Sequence, residues 1–137
     1  MVIEPTTALR ACERTTPELY GALQQSIRDL REAPRGASFA QFQEYWEADE
    51  RFHRLIAEGS ENKFILAAYN ALGGQIQRFR FFGGLGITDA DWAIEEHSAI
   101  LRAFAAGDPA AAREQMIRHL CGVKERSLKD AAGQPTS

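Results

Sequence analysis

The sequence predicts an all-α protein, an antiparallel bundle of about six helices with a metal site at its centre. Three observations carry that expectation. Apolar residues recur three and four apart along most of the chain, the period of a helix face. No segment alternates with period two for long enough to make a convincing strand. Cap, proline and glycine signals cut the chain into long stretches joined by short loops, and short loops make neighbouring helices antiparallel.

Each element has its own signals. Ile3 to Glu13 reads as helix but starts abruptly, which points to a longer parent protein. Thr16-Pro17-Glu18 is a start signal: a threonine cap, proline at the first helical position and an acid in the first turn. That helix runs to about Arg31 and breaks at Ala33-Pro34-Arg35-Gly36. Ser38 with Gln41 forms a capping box for a helix that ends at Gly59. Asn62 caps the next, which runs through about Phe82 and stops at Gly83-Gly84-Leu85-Gly86. Thr88 with Asp91 opens another, closed by Gly107, and Asp108-Pro109 starts the last, which reaches about Leu128. Residues 1–130 thus form one helical domain, and 131–137 a small, polar, disordered tail.

Composition bounds the function. The 137 residues suffice for one domain with its own core, and 45% apolar with 26% charged content is that of a soluble globular chain. A net charge of −3 with no basic block argues against gripping phosphate backbones unaided. No apolar run approaches the roughly 18 residues of a membrane span. No basic-then-apolar leader opens the chain. Cys12 and Cys121 are far apart and read as reduced thiols of a cytoplasmic protein.

The chemistry lies in the histidines. His53 is in line with Phe42, Trp46 and Ile56; His97 with Ala93, Ile100, Leu101 and Phe104; His119 with Met116 and Val123. Three helices therefore each turn an imidazole inward, and Asp49 sits one turn before His53 on the same face. A buried carboxylate and several buried imidazoles are costly unless partnered. One divalent cation answers all of them by neutralising the carboxylate and taking a lone pair from each ring. The nitrogen-rich set disfavours Ca²⁺. Zn²⁺ is the leading expectation, and Ni²⁺, Mn²⁺ and Fe²⁺ are compatible.

Asp49-x-x-Phe52-His53, Glu96-His97-x-x-Ile100-Leu101, Gly107-Asp108-Pro109-Ala110-Ala111-Ala112 and Met116-x-x-His119-Leu120 occur in that order. Together they resemble the effector-binding C-terminal (FCD) domain of GntR-type transcription regulators of the FadR subfamily, over roughly Ile3 to Leu128. The resemblance implies that Asp49, His53, His97 and His119 ligate a metal beside which a small carboxylate effector binds. It also implies a homodimer, and DNA binding only through an N-terminal winged helix-turn-helix domain that this sequence does not contain.

One Asp and three His leave about +1 on a divalent ion, and a five- or six-coordinate ion keeps a position for water that a carboxylate can displace. Arg78, Arg80 and Asn62 are candidate effector contacts, the arginines because they flank the inward side set by Ile76 and Phe79. The alternative is a metal-dependent enzyme, a hydrolase or an oxygenase. It would need a general base, and Glu47, Glu95 and Glu96 are near in sequence but poorly placed by periodicity.

Overall fold

The computed structural model describes residues 3–34, 39–71 and 87–133, and all the regular structure there is helical. Helix α1 spans Ile3–Glu13, α2 Pro17–Glu32 and α3 Phe39–Gly59. Residues 63–71 form α4, followed by α5 at Ile87–Ala105 and α6 at Pro109–Gly133. None of the described helices is long and apolar enough to cross a membrane.

The local signals explain most boundaries. Thr16 is extended and its hydroxyl accepts from the Leu19 amide, with Pro17 supplying the fixed φ of the first turn. Asn62 Oδ1 accepts from the amides of Phe64 and Ile65. Gly107 adopts φ 64°, a conformation that costs a residue with a Cβ, and the chain there closes α5 with Asp108 N bonded to Ala103 O. Asp108 then caps α6 by accepting from Ala111 N.

Two boundaries and one buried face differ from the sequence reading. Thr88 lies inside the first turn of α5 rather than before it. Helix α6 continues to Gly133, because Lys129-Asp130-Ala131-Ala132 contains no breaker. On α3 the buried stripe is centred on Tyr45, Ala48, Phe52 and Ile56, so Trp46 is only half-buried at its edge. Ser38, the Gly83–Gly86 loop and the Phe79, Phe81 and Phe82 cluster lie outside the described residues.

Helix contacts close a ring. Helix α1 packs on α3 and α6, α2 packs on α3 and α5, and α5 packs on α6. Two apolar layers fill it. One joins Ala8, Ala11, Leu23, Ile27, Phe52, Ile56, Ile100, Phe104 and Met116; the other joins Leu30, Ala33, Tyr45, Ala48, Ala93 and Ile94. Each fully buried large side chain in these layers contributes roughly 1.5–3 kcal/mol. Between them, along both α3 and α5, the inward positions turn polar.

Candidate metal centre

That polar layer contains Asp49, His53, His97 and His119. All four are buried, at 6%, 2%, 0% and 1% exposure. One ligand-type atom from each lies within 4.8 Å of the others. Ligands each about 2.1 Å from a common ion are separated by distances of this order.

The helices place these groups by simple register. Asp49 and His53 are four apart on α3 and share a face. His97 and His119 are each eleven positions from Asp108, the turn of the α5–α6 hairpin, so antiparallel packing brings them to the same height. The twenty-two-residue spacing in the sequence is thus the signature of a hairpin folded about its midpoint.

The orientation of the rings is more telling than their proximity. His97 Nδ1 bonds to the carbonyl of Ala93, which can only accept, so that nitrogen carries the proton. His119 Nδ1 lies 2.8 Å from Glu96 Oε1, and His53 Nδ1 lies 2.8 Å from Glu4 Oε1. The Glu96 carboxylate imposes the same tautomer on His119, while the His53–Glu4 approach lacks hydrogen-bond alignment. The Nε2 atoms of His97 and His119 then present lone pairs, and the three Nε2 atoms converge. His119 Nε2 is 3.3 Å from His53 Nε2, and Asp49 Oδ1 is 2.9 Å from His97 Nε2 and 3.5 Å from His53 Nε2. The close His97–Asp49 approach lacks hydrogen-bond alignment, and two lone-pair atoms so placed are stabilised by a cation between them.

Electrostatics favour a neutral His119 ring. Burial, reinforced by His97 and His53, pushes His119 down to about 4, against the pull of Glu96. For Glu96 burial acts upward, but bonds from His119 and Arg126 outweigh it and hold the carboxyl below its usual range. Arg126 grips Glu96 with Nη1 3.0 Å from Oε2 and Nη2 2.7 Å from Oε1. The donor set therefore fits a divalent transition metal that takes neutral imidazoles and one carboxylate.

Asn62 spends its side-chain oxygen on capping α4. Arg78 and Arg80 lie outside the described residues. Sequence reasoning missed Glu4 and Arg126. Glu4 is 2% exposed, and only its place three and four residues before Thr7 and Ala8, both buried, hinted that it faces inward. Arg126 follows His119 by seven positions, two turns along the same face, a signal that becomes meaningful only once Glu96 is known to sit opposite. Cys12 is buried and Cys121 exposed, both as free thiols.

Comparisons with known proteins identify the family and the fold. The FCD domain family matches residues 1–121. The HTH-type transcriptional regulator YcbG of Bacillus subtilis (strain 168) is 28% identical over 129 residues, 94% of this chain and 52% of that protein. A protein of Escherichia coli (strain K12) that bears the name of an L-lactate dehydrogenase operon regulatory protein is 32% identical over 126 residues, 88% of this chain and 46% of its own. The chain thus spans about half the length of the curated relatives it matches. The metal-free FCD domain of TM0439 shares the fold, with a TM-score of 0.70 at 19% identity, covering 97% of this chain and 89% of that one. The ordered motifs of α3, α5 and α6 and the family match lead to one conclusion: the chain belongs to the FCD domain family.

Proposed function

We propose that this FCD domain is the metal-dependent sensing part of a GntR-type transcription regulator. A small organic acid is its effector, and a separate N-terminal domain binds DNA in the cytoplasm. Asp49, His53, His97 and His119 would hold the cation, most readily Zn²⁺, with Ni²⁺, Mn²⁺ or Fe²⁺ compatible. The observation that carries the reading is the shared orientation of the rings, each with Nδ1 near an oxygen, the Nε2 atoms of His97 and His53 toward Asp49 and that of His119 toward His53. A divalent ion supplies charge neutralisation and a position at which a carboxylate can replace water. The name of the E. coli relative, which concerns an L-lactate dehydrogenase operon, supports a small hydroxy- or oxo-acid as effector.

This chain's residues do the rest. The two apolar layers exclude water from the cluster, which strengthens any anion–cation contact there. Helices α3, α5 and α6 each contribute a ligand, so an effector that adjusts the centre shifts three elements of the ring together. The effector modulates DNA affinity only if it binds the two conformations unequally. Arg78 and Arg80 are proposed as additional contacts to the anion, and a homodimer as the working assembly.

The regulatory reading is favoured over a hydrolase or oxygenase because nearby carboxylates are committed elsewhere. Glu96 holds His119 and Arg126, and Glu4 contacts His53. Glu95 pairs with Arg102 and Glu47 with Gln43, both at the surface. The test is metal analysis of the purified protein together with thermal shift against a panel of small carboxylates, before and after chelation. Near-stoichiometric metal and a carboxylate response lost with the metal are expected. A protein free of metal, or a response that survives chelation, overturns the proposal, and product formation from a turnover screen would favour the enzyme.

A further inference from the structure

Between His119 and Arg126 on α6 stands Gly122, in the interior of a long helix where glycine is a poor choice. The reason lies across the interface on α5. A Cβ at position 122 would overlap Glu96 Oε2 and come within 2.9 Å of Arg126 Nη1. The Glu96 carboxylate therefore lies directly over the bare backbone of Gly122. There Arg126 holds both of its oxygens, and Oε1 is shared with His119 Nδ1. The pair is mostly sheltered, with the Glu96 side chain 18% and that of Arg126 16% exposed.

We infer that Glu96 is the positioning residue of His119, clamped by Arg126 in a recess that only glycine at position 122 leaves open. The doubly held carboxylate accepts the Nδ1 proton, fixes the ring's tautomer and aims Nε2 at Asp49 and His53. Arg126 restrains the carboxylate in two places, so it cannot swing inward to take the cation itself. Partners of this kind are typically worth about 10–100-fold in metal affinity. The inference rests on the metal-centre reading, but the tautomer can be tested without any metal.

Gly122→Ala is the sharpest probe, because it changes no charge and no ligand. The overlapping atoms are the ends of flexible side chains, so the pair gives way while the helix stays. The experiment measures zinc affinity by chelator competition and the His119 tautomer by ¹⁵N NMR of the zinc-free protein, for the parent, Gly122→Ala and Glu96→Ala. Folding of each variant is checked by circular dichroism. Zinc affinity about 10–100-fold weaker in both variants, with His119 losing its Nδ1–H preference, is the expected result. A purely structural role predicts that Gly122→Ala holds or raises the melting temperature and leaves zinc affinity and tautomer untouched; that outcome overturns the inference. If the parent itself fails to bind zinc, the proposed function falls. An unchanged His119 tautomer in the zinc-free variants would then overturn the positioning role as well, and a changed one would uphold it.

Discussion

Two layers of the ring, one turn apart on the same helices, are equally buried and chemically opposite. Ile56, Ile100 and Met116 are 1%, 0% and 0% exposed; His53, His97 and His119, each three residues away, are 2%, 0% and 1%. The apolar layer is complete in itself, since dispersion and exclusion of water stabilise it whatever the pH or solutes. The polar layer needs each ring's proton to be on the correct nitrogen and its lone pairs to face something positive. Burial alone therefore says nothing about role. What separates scaffold from site is whether the buried groups satisfy one another.

The comparison yields predictions in descending size. Leu23→Ala should cost about 2–5 kcal/mol in urea unfolding, and by the same amount with or without zinc, because it opens a cavity in the apolar layer away from the rings. A loss that shrinks substantially when zinc is added would mean that the two layers are not independent.

Acid should act on the polar layer alone. His119 is pushed from its ordinary 6.5 to about 4 in the folded protein, so the folded state refuses a proton that the unfolded chain accepts. Its contribution is fully present above pH 6.5 and is lost as pH falls from about 6.5 to about 4, on the order of 3 kcal/mol in the zinc-free protein. Glu96, held below its usual range, loses its own contribution at the acid end in the same direction. Denaturant midpoints of zinc-free protein between pH 8 and pH 4 check this, and a flat profile would contradict the neutral-ring description.

His97→Ala should remove the zinc response. Zinc at one hundred times its Kd stabilises a single-site protein by about 2.7 kcal/mol, and the variant should gain almost none of that. Circular dichroism checks that the variant still folds. Differential scanning calorimetry with and without zinc makes the measurement. At the small end, Ile100→Val should cost about 0.5–1.5 kcal/mol and leave zinc affinity unchanged, which sharpens the boundary between the layers to a single helical turn.

The sequence made the helices and the buried Asp/His cluster legible for physical reasons. Thr16, Asn62 and Gly107 act through their own backbone neighbourhoods, so their effect is written locally. The inward faces of Asp49, His53, His97 and His119 follow from the period of the helix. The spacing of His97 and His119, each eleven positions from Asp108, acquires its meaning from the α5–α6 packing that brings them level. What only the tertiary structure decided is the second layer of partners. Glu4 reaches His53 across fifty residues, and Glu96 meets Arg126 across thirty, over a glycine that in sequence looks like a flaw in α6. Periodicity fixes which face a side chain occupies but not which helix stands opposite. Hydrogen bonds are short-ranged and directional, so the tautomer of His119 was set only when the ring of helices closed, whereas that of His97 is set within α5 by the Ala93 carbonyl.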